Sequence, residues 1–428
     1  MPDAQRPTPD KEPASRQNGS GGLWRGIGHS VSGQLIYLLT QSGVMIALAH
    51  MRGIESVGHL GLALGIATPV FMLAHFGLRT GIATEDPDSR SFDDYLRLAV
   101  IGAGLGAVAS FAIGYALNGD MSVLLACVIA MKMAESISKL CHGAFQRAGR
   151  MDWVSGSLIL RGGLTLVFFV LSLWAGMPTD LAFVVQALVW TGLLVGFDLP
   201  RARRAESGST APRRPLWPLV KDNLPLALSA CLIALMIALP RFFLDSLMGL
   251  AAVGIYTAVS QIYQAGSMVV DAVNQAILSQ FASWRRAKRS GATHSPLGRT
   301  VTLLLTAATV ASVGGIAVVV LAGEPILRIA FGAETADQGR ALLLIMSLAL
   351  VARVYSVVPQ GIIQADRRFW TYFTLQATSL VLMAAILPVA IGARALDGAG
   401  MAMLIVAGYR LLFACLSAIR SGRKGGPA

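Results

Sequence analysis

The sequence is poor in charge. Only 14% of its 428 residues are Asp, Glu, Lys or Arg, while 54% are hydrophobic. A soluble domain carries about 25% charged residues, so this balance excludes one. Cysteine is scarce as well. Cys127, Cys141, Cys231 and Cys415 lie in or beside apolar runs without paired spacing. That excludes a disulfide framework and a zinc site and leaves four small buried hydrophobes. No Gly-Lys-Ser/Thr phosphate loop is present, so the chain carries no nucleotide-driven engine. No His-Glu-x-x-His or other metal spacing occurs, and the histidines are scattered. The expectation is a protein with no metal, no cofactor and no catalytic residues.

What is there is apolar. About twelve runs reach the roughly 20 residues that a membrane-spanning helix needs. They lie near 30–49, 57–78, 96–117, 121–145, 153–175 and 181–199, then 219–244, 251–281, 297–321, 341–363, 372–391 and 398–419. The expected fold is an all-α integral membrane protein. Residues 1–22, rich in Pro, Ser, Gly and charge, read as a disordered cytoplasmic tail. They are not a signal peptide, because no apolar core follows an early basic patch. Residues 23–200 form an N-lobe of six spans, and 201–216, with five arginines, a cytoplasmic linker. Residues 217–421 form a C-lobe of six spans, and 422–428 a second tail.

The net charge of +12 points at first to nucleic acid. The placement of the basic residues argues otherwise. They cluster in loops on one side of the runs, among them Arg79, Arg90 and Arg97, Lys139, Arg147 and Arg150, the linker arginines, Arg285 to Arg289, and Arg367 and Arg368. The opposite loops hold only Arg52, Arg328, Arg340 and Arg394. By the positive-inside rule the linker and both termini are cytoplasmic. Trp24, Trp153, Trp217, Trp284 and Trp370 fall near the same face, as an interfacial belt would.

The chain repeats itself. Gly53, Val57, Gly58 and Ile66 recur as Gly249, Val253, Gly254 and Ile262, 196 residues on. Gly143, Gln146 and Arg150 recur as Gly361, Gln364 and Arg368, 218 residues on. Both copies of each motif fall on one side of the membrane. The halves are therefore expected to be related by a pseudo-twofold axis along the membrane normal.

Few ionisable residues interrupt the spans. Lys132 and Glu135, Arg161, Arg241, Asp271, Arg353 and Arg410 do so, with Asp245 at a rim. Charges at such depth are costly and usually face a bundle interior or a water-filled cavity. Two readings stand for most of them. Lys132 and Glu135, three apart, and Arg241 and Asp245, four apart, have the spacing of intrahelical ion pairs. Arg161 is placed to snorkel toward the cytoplasmic interface. Alternatively Lys132, Arg161 and Arg241 join Arg353 and Arg410 in a cationic substrate cavity. Arg353 and Arg410 stand near mid-span with no acid at helical spacing; pairing across helices with Glu135 or Asp271 is the structural alternative. Glu135, Asp245 and Asp271 are the candidate charge or coupling partners. Guanidinium forks match phosphate oxygens, so a pyrophosphate is the cargo that this excess of Arg suggests. Gln34, Gln41, Gln261 and Asn274 are candidate polar lining, or else interhelical hydrogen bonders.

The runs Gly53-Ile-Glu-Ser-Val-Gly-His-Leu-Gly-Leu-Ala-Leu, Phe76-Gly-Leu-Arg-Thr-Gly, Gly249 to Tyr256 and Gly143-Ala-Phe-Gln-Arg-Ala-Gly-Arg resemble the Wzx-type polysaccharide and O-antigen flippases. These belong to the multidrug/oligosaccharidyl-lipid/polysaccharide exporter superfamily. The resemblance implies two six-helix lobes, alternating access, and movement of a polyprenyl-pyrophosphate-linked oligosaccharide across a bacterial inner membrane in lipopolysaccharide biosynthesis. The implied partners are that lipid-linked substrate, membrane lipids, a polysaccharide polymerase and glycosyltransferases. Span 1 lacks the coupling acid that drug antiporters of the superfamily often carry. A cation-coupled multidrug-type exporter of the same fold is one alternative. A membrane-embedded glycan polymerase or ligase is another, disfavoured by the small outer loop at Gly323 to Arg340.

Overall fold

The computed structural model describes residues 20–84, 90–118, 122–206, 215–289, 297–365 and 368–424. Of the expected tail 1–22, residues 1–19 lie outside them and 20–22 are helical; of the expected linker 201–216, residues 207–214 lie outside them and 201–205 are helical. Every regular element among the described residues is helical. In lipid, backbone N–H and C=O groups find no water, and a helix satisfies them within one segment. The N-lobe contains α1 (Ser20–Arg52), α2 (Ile54–Ala74), the short α3 (Leu78–Thr84), α4 (Phe92–Asn118), α5 (Val123–Arg147), α6 (Met151–Trp174) and α7 (Thr179–Leu193). A π-helical turn, Leu194–Asp198, then leads into α8 (Leu199–Ala205). The C-lobe contains α9 (Trp217–Met248), α10 (Leu250–Arg289), α11 (Leu297–Phe331), α12 (Ala333–Ala365) and α13 (Phe369–Lys424).

Nine described stretches are long and apolar enough to cross a membrane. One, Trp370–Ser417, holds two crossings, because α13 leaves helical geometry at Arg394 and Ala395. Counting it twice and adding α5 and α10 gives twelve. α5 falls short by composition alone, since Lys132, Glu135 and Lys139 interrupt it. It lies at the centre of the N-lobe, packed by α2, α3, α4, α6, α7 and α8.

The boundaries differ from the sequence expectation in four places. Span 2 stops at Ala74, because Phe76 (φ 46°) and Gly77 (φ 62°) turn left-handed, and the chain restarts as α3. Span 6 is interrupted by the π turn before Pro200, whose ring and missing N–H disturb the preceding turn of helix. The outer loop between spans 9 and 10 is helical on both sides and narrows to Gly332 (φ 92°). α13 runs to Lys424, past the expected start of the tail at 422.

The repeat is visible in the backbone. Gly53 (φ 85°) and Gly249 (φ 83°) break the chain identically between α1 and α2 and between α9 and α10. The Arg150 amide donates to the Phe145 carbonyl at 2.8 Å, and the Arg368 amide to the Ile363 carbonyl at 3.2 Å, the same bond 218 residues on. The lobes also touch reciprocally. A methyl group on Gly58 would collide with the Leu250 carbonyl, and one on Gly254 with the Ile54 carbonyl. Each contact is the other with both residue numbers moved by 196 between halves, which is what a twofold relation demands. This seam lies at the hairpin end of the molecule, where Gly53 and Gly249 turn. At the opposite, linker end, Leu219 of α9 is buried among Leu78, Tyr95 and Phe145 of the N-lobe, and Arg90 donates to the Pro215 carbonyl at 2.9 Å.

Candidate functional site

Each lobe holds a small cavity with cations on its wall. In the N-lobe, α2 supplies Thr68, Phe71 and Met72, with His75 at its end, and α5 supplies Lys132, Glu135, Ser136 and Lys139 around about 20 Å³. Glu135 is the centre of an ionic triplet. Its Oε2 lies 2.8 Å from Lys132 Nζ and its Oε1 2.7 Å from Lys139 Nζ. The spacings of three and four residues place all three on one helix face. The expected Lys132–Glu135 pair is thus present, within a larger cluster of formal charge +1. These side chains are only 16–31% exposed, facing the cavity. Burial, reinforced by Lys139 and Arg79, pushes the His75 imidazole down to about 3, so it is neutral beside the triplet. Burial also lowers the Arg79 guanidinium from its usual range.

In the C-lobe a cavity of about 40 Å³ is bounded by Ile233, Met236 and Ile237 of α9, Tyr263 of α10, Arg353 and Ser356 of α12, and Met383, Met403 and Arg410 of α13. Arg353 and Arg410, from two helices, thus line the same cavity. Ser356 Oγ donates to the Arg353 carbonyl at 2.7 Å and accepts from Gln360 Nε2 at 2.9 Å. That chain fixes the polar side of α12 toward the cavity.

The remaining sequence candidates are scattered. Arg161 lines neither cavity and does not snorkel. It is 2% exposed and donates from Nη2 to Asp198 Oδ2 at 2.9 Å and to Ser138 Oγ. Its guanidinium lies 5.2 Å over the Trp190 ring. Arg241 is 6% exposed and faces Tyr256 electrostatically, and the expected ion pair with Asp245 does not form. The two residues share a helix face, but Arg241 is buried whereas Asp245, one turn nearer the helix end, is only partly so. Gln261 reaches across the lobes, its Nε2 2.7 Å from Met45 Sδ. Gln41 is partly buried, with its amide nitrogen shielded from solvent and without an acceptor among the described residues. Gln34 is partly buried on α1 and engaged in an interaction of its own. The side chains of Asp271 and Asn274 lie outside the described residues.

Sequence reasoning missed three participants. Lys139 was grouped with the cytoplasmic loop cations, although its spacing of four from Glu135 already signalled the triplet. His75 was taken as one of several scattered histidines. Asp198 went unnoticed at the end of span 6; an acid within an apolar run just before Pro200 was its signal.

The sequence and fold were compared with known proteins. Residues 23–282, more than half of the chain, match the family described as polysaccharide biosynthesis protein. The capsular polysaccharide biosynthesis protein CapF of Staphylococcus aureus is 23% identical over 243 residues, 55% of this chain. The match spans 60% of CapF, less than two thirds of its length. A mutant of the Vibrio cholerae MATE transporter VcmN superposes with a TM-score of 0.66 at 13% identity, over 95% of this chain and 98% of that one. The MATE multidrug transporter DinF-BH, in complex with R6G, gives 0.66 at 16% identity, over 97% and 98%. A MOP superfamily transporter from Pyrococcus furiosus, described as having a binding pocket of reversed polarity, gives 0.62 at 15% identity, over 94% and 95%. At such identities the likeness to solved structures is one of fold.

Proposed function

The chain belongs to the polysaccharide biosynthesis protein family, and on that premise we propose that this multi-pass membrane transporter flips a polyprenyl-pyrophosphate-linked oligosaccharide from the cytoplasmic to the periplasmic leaflet of a bacterial inner membrane. The observation that carries the reading is the convergence of Arg353 and Arg410 on one C-lobe cavity. Two guanidinium groups lining one cavity suit two linked phosphates, which present several oxygens and keep their charge. The N-lobe triplet adds a formal +1 in its own cavity. On this reading the hairpin end, where the lobes meet backbone to backbone, is the periplasmic side, and the substrate enters from the side where it is made. The head group binds there, the lobes rock about the seam, and the site opens outward. The chain itself makes and breaks no bond. A polymerase and glycosyltransferases are the partners this role requires, before and after transport. The capsular relative argues for a surface glycan generally, and O-antigen is one such cargo.

A cation-coupled multidrug exporter has the same fold, and DinF-BH is described as a multidrug transporter. An exporter of cationic drugs needs acids in its cavity, whereas here Lys and Arg outnumber acids in both. The deciding experiment is complementation of surface-glycan export in a strain lacking the transporter, using Arg353→Ala and Arg410→Ala with membrane protein levels measured alongside. Loss of export at normal protein level supports the reading. Full export by both variants overturns it.

A further inference from the structure

Asp198 is the most deeply buried acid described in the N-lobe, with no exposed surface. Its Oδ2 meets Arg161 Nη2 at 2.9 Å; its Oδ1 is shielded from solvent and makes no well-formed hydrogen bond, with the Ser157 and Ser138 hydroxyls beside the carboxylate. Arg161 Nε is equally shielded and equally without a partner. A structural Arg–carboxylate pair uses both oxygens in a fork. Here the two hydrogens of Nη2 go to Asp198 and Ser138, so the pair is single-pronged and Arg161 Nε and Asp198 Oδ1 stay outside it. The carboxylate also stands at the end of the π turn Leu194–Asp198, and such turns recur at functional sites. An imidazole lies close by: His142, 3% exposed, shares a 2.9 Å hydrogen bond with Ser157 Oγ.

We propose that Asp198 is a proton-binding site, at which a proton and the Arg161 guanidinium compete for one carboxylate. The proton adds to Asp198 at Oδ1; Oδ2 can still accept from Arg161, but the neutral acid no longer holds the guanidinium by charge, and the contact weakens. Arg161 then rests on Ser138 and the Trp190 face. Ser138 and His142 belong to α5, Ser157 and Arg161 to α6, and Asp198 precedes α8, so protonation loosens a tie among three elements. The charged or titratable groups facing this cluster are Tyr37 from α1, Cys141, His142, Glu135 and Lys139 from α5, Arg79 from α3, and Arg201 and Arg203 from α8. The cations favour the anion and burial favours the neutral acid. Occupancy therefore depends on how close Arg161 stands, which links proton binding to the shape of the lobe. The inference concerns what drives or gates the transporter and does not depend on the cargo.

Trp190, beneath Arg161, is a built-in reporter. The test uses the purified full chain in phosphatidylethanolamine–phosphatidylglycerol vesicles without substrate. Its readout is the fluorescence difference between wild type and Trp190→Phe, followed between about pH 5 and 8. The expected result is one titration step in the wild type, lost in Asp198→Asn and kept in Glu135→Gln and His142→Gln. A flat wild-type difference overturns the proposal. So does a step that survives Asp198→Asn or vanishes in His142→Gln. Should Asp198→Asn not reach the membrane, Asp198→Glu carries the test: a displaced midpoint supports the site, and an unmoved one overturns it.

Discussion

Gly254 lies so close to the Ile54 carbonyl oxygen that even a methyl group there would overlap it. Because the neighbour is backbone, it cannot move aside as a flexible side chain would. Gly254→Ala is expected to lower stability by about 1–3 kcal/mol, the usual cost of overpacking. Gly58→Ala, against Leu250, should cost a similar amount, since the twofold relation makes the two contacts equivalent. Thermal unfolding of both variants checks this, and a large difference between them would contradict the equivalence.

Glu135 holds two lysines at 2.7–2.8 Å. Glu135→Gln raises the formal charge of the N-lobe cavity from +1 to +2 and leaves two ammonium groups without their acid. Breaking a fully buried pair costs about 3–5 kcal/mol, and partial exposure reduces that here. The expected outcome is a stable but weakened protein, with Lys132→Met/Glu135→Gln less affected than Glu135→Gln alone. Denaturation midpoints of the three forms test the order.

His75 ionises near 6.5 when unfolded and only at about 3 in the fold. The folded state thus binds fewer protons, and stability falls as pH drops below 6.5. The slope is at most about 1.4 kcal/mol per pH unit. His75→Gln should flatten this part of the profile. An unchanged slope in the variant would show that His75 is not its source.

Arg353→Lys and Arg410→Lys keep the charge but lose the fork. Hydrogen bonds to charged groups contribute about 1.5–3 kcal/mol each, so each Ala variant should reduce substrate capture by about tenfold or more. The Lys variants should recover part of that loss in the export assay.

Much of the fold was legible because membrane crossing leaves a coarse mark: an apolar run of fixed length. The repeat was legible at Gly53 and Gly249, where only glycine takes the positive φ with ease. Breaks inside runs were not. The π turn before Asp198 and the left-handed pair Phe76–Gly77 depend on local backbone geometry that hydropathy does not record. The site was half legible. Arg353 and Arg410 announce themselves by charge at mid-span, and the structure sets them around one cavity. Arg161 announces itself identically, yet its partner Asp198 lies 37 residues away, and only packing of α6 against the π turn brings them together. Neighbours on one helix can be read from spacing, as Lys132, Glu135 and Lys139 were within reach of being; neighbours across helices cannot.

The breaks at Gly53, Gly249 and Gly332 are each one residue long. A connection that short has no slack, so each hairpin behaves as a stiff fork instead of two rods on a string. With the seam acting as fulcrum, α2 is a lever arm of 21 residues, roughly 31 Å at 1.5 Å per residue. Each degree of rocking at the glycines swings its far end, beside His75 and the lysine-lined cavity, by about half an ångström. A connection made of bare backbone therefore gears a small rotation at one end of the molecule into a displacement of several ångströms at the other.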